Sequence, residues 1–362
     1  MRNLYLTALF TLIFGGGLLA QDIHFSQFYQ APLHLNPALT GVMECTQRLT
    51  ANYRNQWASV IKNEFQTYSA SYDAKIPTAQ YDYFGVGLSL WGDQAGSGRF
   101  STYQARLSGS YSKYMGGNRT QSNYLVVGAD AALSSRSINF AQLQWGTQHD
   151  GQGAFDPDRD PLEVLSEDQF LYADMSVGVL WFSRLDDNLN FYIGGAASHI
   201  NRPKQSFFQN RDVKLYTKYT IHAGGELGLN DNVSFLPGAV AFFQGPSFQL
   251  NAGTSTRFYL NGSSYSSESF QIGVWARMVN NYQFFGFNQP TMPGEIEEET
   301  TFGMDAIIAS ARFDYGNYGI GFSYDINVSD LKVASNSKGS FEFSLIYNVC
   351  GNESRRVYCP KF

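Results

Sequence analysis

Alternation of apolar and polar residues with a period of two dominates this 362-residue chain. Between Tyr318 and Asn327, every second residue is Tyr, Ile or Phe, and the residues between them are Gly, Ser, Asp or Asn. Residues 341–349 repeat the pattern. Because successive side chains of a strand point to opposite faces, each such segment predicts a strand with one apolar and one polar face. The chain is therefore predicted to be all-β, as a soluble sandwich, a propeller or a membrane barrel.

The composition favours the barrel. Aromatic residues make up 16% of the chain and charged residues only 15%, whereas about 25% of the residues of an ordinary soluble domain are charged. Mean hydropathy is nevertheless negative, at -0.26. A transmembrane barrel combines these properties, because one face of each strand meets lipid while the other meets water or a packed polar lumen.

The alternation and the turn residues together predict a closed antiparallel outer-membrane β-barrel of about fourteen strands. The strands are predicted near residues 44–58, 63–77, 82–92, 99–115, 121–137, 169–184, 187–200, 214–228, 231–244, 247–260, 267–281, 299–313, 317–329 and 339–350. If the first strand starts in the periplasm, the periplasmic turns are short and rich in Gly, Asn and Asp, as hairpins require. Most of the outer connections are long, which is the usual asymmetry of such barrels.

The beginning of the chain predicts export. A short positive region and an apolar core end in Leu-Leu-Ala, so residues 1–20 are interpreted as a secretory signal peptide. Residues 21–43 form an irregular, aromatic arm, and residues 44–362 are assigned to the barrel with a short periplasmic C-terminal tail. The arm is expected either to plug the barrel at its inner mouth or to bind a periplasmic partner, with both termini in the periplasm.

Three cysteines are present. Barrel closure brings the first and last strands together, so Cys45 and Cys350 are expected at the same periplasmic rim. The tail could return Cys359 to this rim. A Cys45–Cys359 disulfide is preferred and Cys45–Cys350 is the alternative, since sequence alone does not give the distances that a disulfide requires.

Charged side chains that share a strand face with small polar residues are expected inside the barrel, because charges facing lipid are costly. Their mixed signs favour pairing with one another over an open charged channel. The predicted lumen charges are Arg106, Asp130, Asp174, Glu226, Arg277, Asp305, Arg312, Asp325 and Glu342. His222 is predicted to face the lumen as well.

No catalytic motif is present, and the chain is predicted not to be an enzyme. Metalloprotease, nucleophile-elbow and P-loop patterns are missing, and Ser198 and His199 would point to opposite faces of one strand. Asp156, Asp158 and Asp160 have the alternate spacing of a calcium loop but lack its Gly and closing Glu. A solvated acidic loop is therefore preferred over a calcium site, and no cofactor is expected. A net charge of -6 argues against nucleic acid as a partner.

Several sequence blocks, in order, resemble the PorP/SprF family of type IX secretion system membrane proteins. They include residues 25–29 (FSQFY), 35–38 (LNPA), 53–57 (YRNQW), 201–207 (NRPKQSF) and 359–362 (CPKF). The resemblance covers essentially all of the chain after the leader. It implies structural or partner-binding roles for Phe25, Phe28, Tyr29, Leu33, Leu35, Asn36, Pro37, Arg202, Pro203 and Phe207.

The resemblance also implies a function and partners. It predicts a non-enzymatic outer-membrane component of the type IX secretion and gliding machinery, surrounded by outer-membrane lipid. The expected partners are a large secreted cell-surface adhesin, through its C-terminal domain, and other periplasmic and outer-membrane type IX components, including a peptidoglycan-binding lipoprotein. The alternative is a general porin or a channel for small hydrophobic solutes.

Overall fold

The computed structural model describes most of the chain after residue 21 as one barrel. The described residues are 22–61, 63–78, 81–118, 121–149, 155–160, 167–186, 188–208, 212–260, 268–282 and 300–350. The predicted signal peptide and most of the predicted C-terminal tail, with Cys359, lie outside these ranges. No helix within them is long and apolar enough to cross a membrane.

Fourteen antiparallel strands form a closed barrel in which each strand pairs with its sequence neighbours and the first pairs with the last. They are β1 (Gln47–Gln56), β2 (Phe65–Pro77), β3 (Tyr83–Ala95), β4 (Phe100–Gly117), β5 (Ser122–Ser137), β6 (Gln169–Arg184), β7 (Leu189–Ser198), β8 (Lys218–Asn230), β9 (Val233–Gln244), β10 (Ser247–Tyr259), β11 (Ser269–Tyr282), β12 (Thr300–Tyr315), β13 (Tyr318–Asn327) and β14 (Lys338–Val349). The predicted fold class and strand number are confirmed.

The barrel wall reverses the polarity of a soluble protein. In β13, Tyr318, Ile320 and Phe322 are exposed, whereas Asp325 is buried. Leu107 of β4 exposes 67% of its surface. Closure pairs every strand on both sides, so the backbone polar groups are satisfied within the sheet, as lipid demands. The apolar outer face and the polar inner face are those of a membrane barrel.

The two ends of the barrel differ. At one end the strands are joined by tight turns, such as residues 231–232 and 316–317. We call this end the short-turn rim. The opposite end, the long-loop rim, has long connections such as residues 199–217, with the tight link at residues 245–246 as the expected exception. In single-chain bacterial barrels the short turns face the periplasm and the long loops face outward.

The seam between β1 and β14 is closed by ten consecutive residue pairs, from Gln47 opposite Val349 to Gln56 opposite Ser340. A disulfide joins Cys45 to Cys350 beside this seam, at the short-turn rim. The preferred Cys45–Cys359 pairing is therefore corrected to the alternative. The physical reason is that the seam ends at Gln47 and Val349, which brings Cys45 and Cys350 side by side with their Cα atoms 4.3 Å apart, so no return of the tail is needed.

Candidate functional site

The lumen of the barrel is occupied by the amino-terminal arm of the same chain, residues 22–43. The arm contains three short helical segments: a 3-10 turn at Phe28–Gln30, helix α1 at Pro32–Leu35 and a second 3-10 turn at Pro37–Leu39. Both prolines occupy the first turn of a helical segment. The backbone N–H that proline lacks would have no partner within the helix at this position, so no hydrogen bond is lost. This compact, irregular form suits a plug, because it presents side chains in all directions.

The arm supplies much of the hydrophobic core of the protein. Phe28 and Tyr29 pack around Trp275 of β11, with ring centroids 5.5 and 5.3 Å from the indole. Leu35 and Leu39 belong to the same buried cluster. The other members are Ala38, Val42, Tyr83, Tyr124, Val126, Leu180, Phe182, Tyr192, Val240, Ala306 and Ile308. A core shared between the arm and most of the wall fixes the arm in place.

Buried carboxylates hold the outer half of the arm by its backbone. Glu342 of β14 accepts hydrogen bonds from the amide nitrogens of Ser26 (2.6 Å) and Gln27 (2.9 Å). The Ser26 hydroxyl donates to Asp325 of β13 at 2.7 Å. These contacts satisfy arm donors that have no partner within a helix or sheet, which the low-dielectric interior makes necessary.

Two arginines neutralise these carboxylates. Arg277 lies 2.8 Å from Asp325 and also donates to the Ser26 hydroxyl. Arg54 lies 3.4 Å from Glu342 and donates to the backbone carbonyl of His24 at 2.7 Å. The wall and the arm thus share one buried ionic network, in which removal of a single member leaves a charge unpaired.

Asn36 anchors the middle of the arm. Its side-chain oxygen accepts from the Ala38 amide at 2.9 Å, which caps the second 3-10 turn. Its side-chain nitrogen lies 3.0 Å from the carbonyl oxygen of Val179 and 3.1 Å from that of Gly195. The same nitrogen lies 3.0 Å from Nε2 of His222, which faces the lumen as predicted. Asn36 is completely buried, and both the oxygen and the nitrogen of its side-chain amide have hydrogen-bond partners.

Glycines in the wall make room for this segment. At Gly178 a Cβ atom would lie 1.9 Å from Oδ1 of Asn36. At Gly128, directly opposite Gly178 in the sheet, it would lie 2.6 Å from the Ala38 Cα and amide nitrogen. Because the obstacle at Gly128 is backbone, it cannot rotate away.

We expect Gly128→Ala to displace the arm and to destabilise the barrel by about 1–3 kcal/mol, the usual range for overpacking, or more. Gly109→Ala is the matched control, because its Cβ would approach nothing closer than 3.9 Å. The urea concentration at the midpoint of unfolding in detergent should fall for Gly128→Ala alone. Equal midpoints for the two variants would show that the arm does not rest on this part of the wall.

The inner end of the arm is tied down at the short-turn rim. Arg48 of β1 forms a buried ion pair with Asp73 of β2 at 2.8 Å, and it donates to the carbonyl oxygen of Leu39 at 3.2 Å. Asp73 accepts from the Gly41 amide at 2.8 Å. Gly41 has a φ of +72°, and its Cα is packed against Gly85 of the wall, so only glycine fits this turn.

The outer end of the arm is tied to the long-loop rim by charge. The Asp22 carboxylate contacts Nε2 of His199, and Lys218 lies 3.7 Å away. Nδ1 of His199 lies 2.8 Å from Asp174. The Asp22 amide donates to the side chain of Gln244 at 2.8 Å. We call Asp22, His199, Asp174 and Lys218 the outer latch.

The outer latch shifts the pKa of His199. Burial alone lowers this pKa, but the charge of Asp22 and the contacts with Asp174 and Asp22 outweigh it and raise the pKa to about 9. Burial raises the pKa of Asp22, yet His199 and Lys218 lower it overall to below its usual range. Both groups are therefore charged at neutral pH.

We expect the outer end of the arm to loosen as pH rises. The His199 contribution is complete below the unfolded pKa of about 6.5 and is lost as pH passes through about 9. The Asp22 contribution is present throughout this window, since it is lost only in acid. Hydrogen exchange at residues 22–26, corrected for intrinsic rates, should accelerate at least about tenfold over this range. His199→Gln should exchange fast at every pH, whereas the loop variant His149→Gln should behave like the unmodified protein.

The position of the arm agrees with one of the two predicted alternatives, but its path is longer than predicted. The predicted plug is present, but it spans the lumen from Met43 at the short-turn rim to Asp22 at the long-loop rim. The first described residue, Asp22, therefore lies at the long-loop rim, and the ends of the chain themselves lie outside the described residues. The inward wall receives the arm with large rings such as Trp275 and with glycines such as Gly128, so the arm packs along the lumen between the two rims.

The predicted partner-binding residues fall into two groups. All seven in the arm are buried within the lumen and contact the barrel itself. A partner could reach them only if the arm left the barrel. They are Phe25, Phe28, Tyr29, Leu33, Leu35, Asn36 and Pro37.

The other three predicted residues lie at the long-loop rim. Arg202 is exposed and Pro203 is buried. Phe207 packs among three aromatic rings, with centroids 5.0 Å from Phe170, 6.2 Å from Phe100 and 6.5 Å from Phe140. These contacts join the loop after β7 to the loop after β5 as one folded surface.

The predicted lumen charges mostly pair internally, as the sequence analysis expected. Arg106 lies 3.5 Å from Asp130, Arg257 lies 3.4 Å from Glu226, and Arg312 pairs with Asp314 at 2.9 Å. Sequence reasoning missed Arg48, Asp73 and Arg54. Each lies on the inward face of its strand, so the alternation could have identified all three. No local sequence pattern indicated that Asp22 and His199 would form part of the outer latch.

The described part of the acidic loop, residues 155–160, shows no grouping of carboxylates around a metal position. Asp156, Asp158 and Asp160 are exposed, and Oδ1 of Asp156 accepts from the Asp158 amide at 3.1 Å. Within the described ranges, no group of three or more His, Cys, Asp or Glu side chains could hold a metal ion.

These features define the class: a β-barrel of the outer-membrane type whose lumen is filled by its own arm. A family model described as type IX secretion system membrane protein PorP/SprF matches residues 18–347. The chain belongs to this family, and it is thus a membrane component of the type IX secretion system.

The chain was also compared with curated proteins and with solved structures. A search of curated proteins finds no match. Similar solved structures include the Pseudomonas putida toluene transporter TodX, at 11% identity over 94% of this chain and 96% of that one, with a TM-score of 0.43. The Ralstonia pickettii toluene transporter TbuX shows 12% identity over 93% and 96%, with a TM-score of 0.44. The CymD monoaromatic hydrocarbon channel shows 11% identity over 92% and 96%, with a TM-score of 0.45.

Proposed function

We propose that this barrel is a non-enzymatic scaffold of the type IX secretion and gliding machinery, and that it supports the secretion or surface anchoring of a large adhesin through protein contacts. The observation that favours this role is the arm. Among the described residues, an apolar core and a buried ionic network occupy the lumen, and this filling favours a barrel that is closed to diffusing solutes. Contacts with partner proteins would then be made at the two rims of the barrel.

The rims offer different surfaces. The long-loop rim carries the packed loop that contains Pro203 and Phe207, and this surface suits recognition of the C-terminal domain of an adhesin. The short-turn rim presents tight turns and the Cys45–Cys350 link, a rigid base for periplasmic type IX components such as a peptidoglycan-binding lipoprotein. We further propose cleavage of residues 1–20 as a signal peptide during export and residence in the outer membrane.

Planar bilayer recordings test the closed lumen. The purified barrel should show no steady conductance, whereas a variant lacking residues 22–43 should either conduct or fail to assemble. A steady open pore in the unmodified protein would favour the alternative, a porin or small-solute channel.

A second experiment tests the adhesin role. In cells that lack the protein, surface labelling of the adhesin should be lost and should return with the full chain. Affinity purification from native membranes should recover the adhesin and periplasmic type IX components, identified by mass spectrometry. Normal adhesin display without the protein would refute the role.

A further inference from the structure

A cavity of about 170 Å³ lies beside the outer end of the arm. Its position at the long-loop rim follows from its lining, which includes the last residues of β1 and β3 and the first residue of β2. The lining residues are Asp22, Ile23, His24, Arg54, Gln56, Phe65, Thr67, Asp93 and Ala95. Three of these residues, Asp22, His24 and Arg54, also take part in the arm contacts described above, whereas Phe65, Asp93 and Ala95 do not.

Most charges around the cavity are already matched. Arg54 lies 3.4 Å from Glu342 and 3.6 Å from Asp325. Asp22 turns to the outer latch, where it contacts His199. The cavity therefore gains no uncompensated charge from either residue.

Asp93 differs from these groups. One of its oxygens accepts from the Thr67 hydroxyl at 2.6 Å. Among the described residues, the nitrogen atoms of Arg48, Arg54 and Lys113 form ion pairs with other carboxylates. No Lys or Arg side chain described in the structure forms an ion pair with Asp93. Arg54 and Arg136 act on Asp93 only from beyond ion-pair distance. A half-buried carboxylate that lacks a direct ion-pair partner would gain from a positive ligand in contact with it.

The remaining lining is apolar on one side. Ile23, Phe65 and Ala95 face the same cavity as Asp93. A Lys or Arg side chain has the matching character, because a hydrocarbon stem leads to a charged head. An aromatic ring beside the carboxylate favours the planar guanidinium group in particular, which stacks on rings and binds carboxylates with two hydrogen bonds.

We propose that this cavity is a binding site for one basic side chain, preferably arginine, supplied by an external protein partner. Asp93 would pair with the guanidinium group, and Phe65 and Ile23 would contact the stem. The site deepens the proposed function, because it specifies the chemistry by which the long-loop rim binds a partner protein. It rests on the proposed function only for the identity of that partner.

The purified full chain in detergent allows a direct test with N-acetyl-arginine amide as the probe. Its neutral isostere N-acetyl-citrulline amide is the matched ligand control. Saturation-transfer NMR and calorimetry should show binding of the arginine probe at least about tenfold tighter than that of the citrulline probe, and the difference should shrink at high salt.

Asp93→Asn should abolish this preference, whereas Asp330→Asn, at an exposed loop carboxylate on the same rim, should preserve it. Retained resistance of both variants to urea would show that the barrel is intact. Equal binding of the two probes, or an unchanged preference in Asp93→Asn, would overturn the site. Such a failure would leave the adhesin role standing, because adhesin display in cells is measured separately.

Discussion

Simultaneous replacement of Phe25, Phe28 and Tyr29 with serine is expected to release the arm from the lumen and to abolish adhesin display. All three rings are buried, at 4%, 3% and 8% exposure. Loss of a buried aromatic ring typically costs about 3–5 kcal/mol. Three such losses exceed what the hydrogen bonds at Ser26 and Gln27 can compensate.

The barrel itself should still insert, because its strand pairing does not involve the arm. Three measurements separate these outcomes: the gel mobility of unheated samples, conductance in planar bilayers and surface labelling of the adhesin. A control triple variant should remove three exposed, lipid-facing rings, such as Tyr318, Phe322 and Phe343. Normal display at normal protein levels in the Phe25, Phe28 and Tyr29 variant would show that the seated arm is dispensable for function.

Glu342→Ala is expected to have the second largest effect. The change removes the acceptor for two arm amides, at Ser26 and Gln27, and deprives Arg54 of its nearest carboxylate. Breaking a buried ion pair from one side usually costs about 3–5 kcal/mol, because the remaining charge is left uncompensated. The midpoint of urea unfolding should fall accordingly, and exchange at residues 24–27 should rise.

Glu342→Gln provides the sharper comparison. It keeps the shape and one acceptor oxygen, so it should restore part of the lost stability. Asp330→Ala, at an exposed position, should change the free energy of unfolding by no more than about 0.5 kcal/mol. If Glu342→Ala unfolds at the same urea concentration as the unmodified protein, the Glu342 carboxylate does not hold the arm.

Much of the barrel could be predicted from the sequence because strand alternation is local. The pattern in Tyr318–Asn327 identifies β13 and assigns each side chain to a face without knowledge of any neighbour. The same rule places Asp325 and Glu342 in the lumen, where each exposes only 2% of its surface. Short turns rich in Gly and Asn likewise predict hairpins. Tight hairpin turns require positive φ angles, and the tolerance for such angles is a property of the individual residue, which can be recognised in the sequence.

The arm was only partly predictable. Its prolines and aromatic residues indicated a buried, irregular segment, and the burial of Phe28 and Leu33 agrees with this. Its path was predicted wrongly, because nothing in residues 21–43 records which end of the barrel each residue reaches. The position of Asp22 depends on His199 and Lys218, which lie 177 and 196 positions further along the chain.

By itself, the sequence determined an outward-apolar barrel of fourteen strands, its polar inner face and the resemblance to its family. Only the tertiary structure decided that the arm runs the full length of the lumen, that Cys45 pairs with Cys350 and that Glu342 binds arm amides. The division has a physical cause. Periodicity and turn preference act between neighbours in sequence, whereas the fit of Asn36 against Gly178 exists only after closure has brought distant strands around the arm.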